Sequence, residues 1–212
     1  MKVGILGSGD VGKALARGFA REGHEVMVAT RDPKSQKAQE INKDLGVKIG
    51  SFTSVAKFAE LTVLATLWAG TEEAIKLAGP HNLKDKVVID VTNPLDVSAG
   101  MPPKLALGTT DSGGEQVQRW LAGSRVVKAF NSVGNQHMHK PTFSDTKPTM
   151  FYCGNNQSAK EVVKTILLSF GWEPADIGDM TGARELEPLC ILWVKYGLMH
   201  NSWDHAYKML HK

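Results

Sequence analysis

Apolar residues fall along this chain in two alternating rhythms. Short runs without polar alternation occur at residues 3–6, 25–29, 47–52, 61–67, 86–91, 125–130 and 149–153, and they predict strands buried on both faces. Between them, apolar positions recur at helical spacing. Val11, Ala14, Leu15, Gly18 and Phe19 form one such stripe, and Ala38, Ile41 and Leu45 another. Helix starts are read at Asp32-Pro33 (cap, then first-turn proline), at Thr71 before Glu72 and Glu73, and at two capping boxes, Ser112/Glu115 and Ser158/Glu161. The first box leads into Val117, Trp120 and Leu121, and the second into Ala159, Val162, Val163, Ile166, Leu167 and Phe170. Residues 55–58 predict a short helix, residues 98–110 an irregular loop and 135–147 a polar loop; Pro174 confines a strand over 172–177 to a sheet edge. After Pro188 a helix is expected that is apolar nearly all round, through Leu189, Ile191, Leu192, Trp193, Val194, Tyr196 and Leu198, and the tail repeats Trp203, Tyr207 and Leu210 at helical spacing. Strands alternating with helices in this way define an α/β chain. The expected architecture is a doubly wound Rossmann parallel sheet over 1–182 with a small C-terminal helical extension over 183–212. An all-round apolar helix needs cover on more than one side, so that extension is expected on a homodimer and substrate face.

The first strand runs straight into Gly7-Ser8-Gly9-Asp10-Val11-Gly12, a G-x-G-x-x-G that opens the first helix. Gly7 makes the tight turn, Gly9 admits a pyrophosphate to the backbone amides, and Gly12 lets the helix lie close on the strand. The helix dipole then faces the phosphates. Between a buried strand and an amphipathic helix, this motif points to a dinucleotide. The second strand normally ends in a carboxylate that accepts from the adenosine ribose. Here its end reads Thr30-Arg31-Asp32-Pro33-Lys34. A guanidinium fork at Arg31 and a point charge at Lys34 suit an additional phosphate, so NADP(H) is expected rather than NAD(H). Further cofactor contacts are expected where the later strands reach the same rim: Leu67 and Trp68, Asn93 and Pro94, and Ala129 and Asn131. Trp68 either covers the cofactor or packs as a partly buried tryptophan.

Composition narrows the class. Hydrophobic content of 42% and charged content of 22% are ordinary for a globular chain, and a net charge of +3 is too mild and too dispersed for a nucleic-acid surface. Cys153 and Cys190 are far apart and form no C-x-x-C, which fits a reduced, cytoplasmic setting. No signal peptide is expected, and the most apolar stretch, 189–194, falls well short of the ~20 residues of a membrane span. His137 and His139 stand two apart, but no further ligand has metal-site spacing, so they read as a surface pair and no metal is expected.

Absent parts limit the chemistry. No tyrosine is followed by the lysine of a Tyr-x-x-x-Lys proton relay, and too little chain follows Arg184 for a large helical substrate domain. What remains is an open rim beside Asn93, Asn131 and the His137 loop. Such a rim suits hydride transfer to a second flat ring, which needs stacking and positioning more than a strong acid. The catalytic residue stays open, with Asn131 and His137 as candidates. Five motifs in order, Gly7–Gly12, Thr30-Arg31 with Lys34, Thr92-Asn93-Pro94, Val127–Asn131 and Ala183–Glu187, make the chain resemble the NADPH-dependent coenzyme F420 reductase (F420H2:NADP oxidoreductase) family. The chain is also similar to the cytosolic reductase domain of the six-transmembrane metalloreductases, without their membrane half. The resemblance implies a dimeric Rossmann protein that holds the 2′-phosphate with Thr30, Arg31 and Lys34. The rim after Phe130 would then face a hydride acceptor, F420 or a flavin; archaeal deazaflavin reductases carry histidine at the position of Asn131. Two alternatives remain: an NADP(H)-dependent reductase of a small organic substrate, with His137 or His139 as proton donor, and a non-catalytic NADP(H)-binding redox sensor. The acceptor's identity and the physiological direction are not legible in the sequence.

Overall fold

Apolar runs of this kind need cover on both faces, and the chain supplies it by layering helices on each side of one sheet. The computed structural model describes residues 1–143 and 146–211. Its strands are β1 (Lys2–Leu6), β2 (Glu25–Ala29), β3 (Lys48–Gly50), β4 (Leu61–Leu64), β5 (Val87–Asp90), β6 (Leu95–Asp96), β7 (Lys104–Leu105), β8 (Arg125–Lys128), β9 (Thr149–Tyr152) and β10 (Glu173–Asp176). The helices are α1 (Asp10–Arg21), α2 (Gln36–Leu45), α3 (Phe52–Phe58), α4 (Thr71–Ala78), α5 (Gly113–Trp120), α6 (Gln157–Ser169) and α7 (Ala183–His200). Six strands form a parallel sheet in the order β3-β2-β1-β4-β5-β8. Alternate residues of each strand serve opposite layers. Val3, Ile5, Val63, Ile89 and Val127 pack with Leu15 and Phe19 of α1 and with Val163 and Leu167 of α6. Leu6, Leu64, Val88 and Val126 pack with Val55 of α3, Ile75 of α4, Val117 of α5 and Leu186 of α7. Strand order reverses between β1 and β4, and the crevice above their carboxyl ends is where open α/β sheets bind ligands.

The doubly wound reading holds, and the departures are local. The apolar run over 61–67 leaves the sheet after Leu64, and the strand expected over 47–52 is β3 alone, with Phe52 already in α3. The helix after β2 starts at Gln36, not at Pro33: Ser35 caps it by accepting from the Ala38 amide, while the Asp32 carboxylate accepts from the Lys34 amide (3.0 Å) in a turn of its own. Ser112 caps α5 as read, but the Ser158 box is displaced. Asn156 is the cap of α6, its Oδ1 accepting from the Ala159 amide (2.9 Å) and from the Ser158 hydroxyl (2.8 Å). The supposed loop over 98–110 contains β7, which pairs antiparallel with β6. β9 and β10 are parallel to each other, with Pro174 on the edge strand as expected, and a bridge between Lys128 and Cys153 ties them to β8.

Two larger corrections concern the C-terminus. α7 begins at Ala183 and runs through Pro188, rather than starting after it. The carbonyl that Pro188 leaves without an amide donor belongs to Arg184 in the first turn. The tail forms no helix despite its helical spacing. Instead it lies along β9: the Tyr207 carbonyl accepts from the Thr149 amide (2.8 Å), and the Thr149 hydroxyl accepts from the Met209 amide (3.1 Å). Covering the start of β9 satisfies backbone groups that a helical tail would leave open. No described helix is long and apolar enough to cross a membrane.

Candidate functional site

The glycine loop has the geometry its spacing requires. Gly7 has φ +129°, and a Cβ there would lie 2.2 Å from the Ala65 carbonyl oxygen, where the exits of β1 and β4 touch. A Cβ on Gly12 would lie 2.1 Å from the Gly7 carbonyl oxygen, so only glycine lets α1 start this close to the strand. Gly9 is different: a Cβ would meet nothing within 4 Å. As the cap of α1 it offers no side chain to the first-turn amides, which leaves them free for an anion. Asp10 in that turn pairs with Lys13 at 2.8 Å, which holds its carboxyl below the usual range and offsets its charge near a phosphate.

At the exit of β2, Thr30 is buried and its Oγ1 has no hydrogen-bond partner. Arg31 and Lys34 are exposed and take part in no ion pair among the described residues. The Arg31 guanidinium reaches toward Gly70, with Nη2 3.9 Å from where a Cβ of that residue would sit. A buried hydroxyl without a partner, followed in the chain by two exposed cations outside any ion pair, supplies the donor chemistry that a 2′-phosphate of NADP(H) requires.

The other sequence-named residues line the same edge. Leu67 is 88% exposed at the exit of β4, an apolar lip in the open. Trp68 is half-buried and stacks on Trp120 of α5 (5.5 Å between ring centres, 27° between planes). Asn93 and Asn131 lock to each other: Asn93 Nδ2 donates to the Asn131 carbonyl (2.8 Å) and Asn131 Nδ2 to Asn93 Oδ1 (3.0 Å). Asn131 Nδ2 also donates to the Leu186 carbonyl of α7 (2.8 Å). Pro94 and Ala129 are buried, Ala129 in the core beneath the rim. Phe130, between Ala129 and Asn131, has φ +62°, an uncommon conformation for a bulky residue and the kind of local strain that collects at functional rims.

Sequence reasoning missed what lies under this rim. Lys128 is fully buried, its Nζ 2.8 Å from Asp90 Oδ2, 2.8 Å from the Thr92 carbonyl and 3.1 Å from Glu187 Oε1. Glu187, reaching over from α7, accepts the Gly113 and Gly114 amides (3.0 Å each) at the start of α5. Burial by itself would lower the lysine pKa, but the Asp90 and Glu187 carboxylates outweigh it and hold the pKa above its ordinary value. One signal was available: the apolar runs of β5 and β8 each end in a charge, and those charges, Asp90 and Lys128, face each other in the pairing register.

The two histidines part company. His137 Nε2 lies 3.0 Å from Asp204 of the tail, and His139 Nε2 lies 2.8 Å from Glu22 at the end of α1. His139 also borders a polar cavity of about 460 Å³ lined by Lys13, Arg17 and Arg21 along α1. Among the described residues no group of three or more His, Cys, Asp or Glu could hold a metal ion. The Cys153 and Cys190 thiols are buried, which pushes their pKa up to about 12 and about 11, so both stay protonated at neutral pH.

Sheet order and glycine loop are together the architecture of a dinucleotide-binding protein, and the similar proteins set this one in the NADP oxidoreductase class. The chain belongs to the F420-dependent NADP oxidoreductase family. The family model described as NADP oxidoreductase, coenzyme F420-dependent, matches residues 2–94. A crystal structure of a protein from Arthrobacter sp. FB24, provisionally described as an F420-dependent NADP-reductase, is 37% identical over the whole of both chains, with a TM-score of 0.95. The F420-dependent NADP reductase of Methanothermobacter marburgensis is 34% identical over 63% of this chain and 64% of its own length. Metalloreductase STEAP3 of Rattus norvegicus is 30% identical over 89% of this chain, which spans 36% of that relative's length.

Proposed function

We propose that this chain transfers a hydride between NADP(H) and a flat redox acceptor such as deazaflavin F420 or a flavin. The observation that carries the reading is the pairing of an uncapped α1 N-terminus at Gly9 with the Thr30, Arg31 and Lys34 cluster, which has no carboxylate at the tip of β2. Bound nicotinamide would supply the hydride. The chain's own residues bind and orient: Gly7, Ser8, Gly9, Asp10, Val11 and Gly12 cradle the diphosphate, and Thr30, Arg31 and Lys34 hold the 2′-phosphate. Leu67, Trp68, Asn93, Pro94 and Asn131 form the nicotinamide edge, with Ala129 packed in the core beneath it. The names of the relatives support an acceptor of the deazaflavin kind, and the commitment of His137 to Asp204 and of His139 to Glu22 weighs against either as a free proton donor. Residues 1–182 act in this reading as the NADP-binding part, and 183–212 close the acceptor side. Leu192, Tyr196, Leu198 and Met199 of α7 are exposed and would form the core of a homodimer contact. The protein would work in the cytoplasm on a diffusible acceptor.

The test is stopped-flow oxidation of NADPH against deazaflavin, flavin, quinone and ferric acceptors and against small carbonyls and imines. Turnover with a deazaflavin or flavin is the expected result. Failure with every acceptor, together with ligand-dependent rearrangement of a dimer, would make the chain a redox sensor instead. Turnover only with a small carbonyl or imine, abolished in His137→Ala, would favour the organic-substrate reading. A binding prediction accompanies it: Arg31→Ala weakens NADPH binding by about 1.5–3 kcal/mol, the worth of a charged hydrogen bond, and leaves NADH almost unchanged. Titration calorimetry with both nucleotides checks it, and equal losses would place Arg31 away from the 2′ position.

A further inference from the structure

Five buried side-chain polar atoms have no hydrogen-bond partner among the described residues, and two of them, Thr30 Oγ1 and Asn131 Oδ1, belong to the carboxyl rim of the sheet. Thr30 sits at the adenosine-phosphate end. Asn131 follows β8, on the other half of the crevice. Its bonding leaves no ambiguity about which amide atom is unpaired. The Leu186 carbonyl can only accept, so Nδ2 of Asn131 must face it. The Asn131 carbonyl likewise requires Nδ2 of Asn93, which turns Asn93 Oδ1 toward Asn131 Nδ2. Both amides are thereby oriented, and Asn131 Oδ1, on a residue only 4% exposed, is the acceptor left over. A buried acceptor without a donor is costly, and the fold has held this one in place from two directions.

We infer that Asn131 Oδ1 receives the carboxamide N–H of the nicotinamide and thereby sets the orientation of the ring; the inference rests on the cofactor reading above. The chemistry selects that group. Asn93 Oδ1 and the Leu186 carbonyl already bring oxygen lone pairs to this corner. A ribose hydroxyl would add more, whereas the carboxamide NH2 only donates. The bond runs from a carboxamide N–H to a side-chain oxygen whose own amide is pinned to α7. Asn131 is therefore a positioning residue that also ties the C-terminal helix to the cofactor.

The test compares NADP+ with its 3-acetylpyridine analogue, in which a methyl group replaces the NH2, by titration calorimetry on the full chain. Wild type should bind NADP+ about three- to tenfold more tightly than the analogue, the range of one neutral hydrogen bond. Asn131→Ser and Asn131→Leu should bind the two alike, while still preferring NADP+ to NAD+ through Arg31. Equal affinities in wild type would overturn the inference while leaving the cofactor reading intact, and so would a wild-type ratio retained in both variants. The wild-type comparison needs no variant, so a misfolded substitution does not protect the idea. Absence of any nucleotide binding by wild type would remove the cofactor reading and this inference together.

Discussion

Lys128→Ala is expected to cost about 3–5 kcal/mol of stability, the range seen when one partner of a buried ion pair is deleted. For a chain of this size that corresponds to a fall in melting temperature of roughly 6–20 °C. The loss comes less from the missing attraction than from what stays behind: the Asp90 and Glu187 carboxylates, 0% and 2% exposed, would share a dry site with no cation between them. The Thr92 carbonyl would also lose its donor, and the rim carrying Asn93 begins one residue later. A triple variant, Asp90→Asn with Lys128→Met and Glu187→Gln, should recover only part of the loss: it removes the charges together, but glutamine has one acceptor oxygen for the two glycine amides that Glu187 satisfies. The pH dependence follows from the direction of the shift. The folded pKa of Lys128 lies above its ordinary value of 10.5, so its contribution is complete below pH 10.5 and is lost only as pH rises toward the folded value. Thermal melts by circular dichroism at neutral pH decide the matter; a loss under about 1 kcal/mol would mean that water, not protein, surrounds the ammonium.

Much of the architecture was legible because its causes are local. The Gly7–Gly12 loop, the apolar strands and the stripes of α1 and α6 each express their periodicity within a few residues, and the structure reproduces them. Local rules also failed in a consistent way. Asn156 and Ser158 are both good caps, and the choice between them depended on where α6 docks. The spacing of Trp203, Tyr207 and Leu210 is genuinely helical, but the free backbone groups of β9 offered the tail hydrogen bonds that a helix would not have used. The Asp90, Lys128 and Glu187 trio was out of reach for a different reason. Its members come from two neighbouring strands and a later helix, so their meeting depends on parallel pairing and on how α7 packs. The Asn93–Asn131 lock lay between these cases: both residues were read as rim groups, but their mutual bonding depends on the neighbouring exits of β5 and β8.

Gly7→Ala and Gly9→Ala should separate folding from cofactor binding within a single loop. At Gly7 the added methyl overlaps the Ala65 carbonyl oxygen at 2.2 Å, and φ +129° is a conformation that L residues rarely adopt. Neither problem can be relieved by a side-chain rotation, because the obstacle is the backbone at the exit of β4. Backbone strain of about 1–3 kcal/mol adds to overpacking of similar size, so a loss of about 3 kcal/mol or more is expected. At Gly9 a Cβ meets nothing within 4 Å, so the fold should lose only the small difference between glycine and alanine as a helix cap, about 1 kcal/mol or less. The open space over Gly9 is, however, where a diphosphate must approach the α1 amides. Gly9→Ala should therefore melt almost as wild type while its NADPH affinity falls by about tenfold or more. Chemical denaturation and nucleotide titration on the same two variants provide the comparison. A Gly9→Ala protein that binds NADPH as well as wild type would show that the phosphates lie elsewhere, because no part of the protein fold competes for that space.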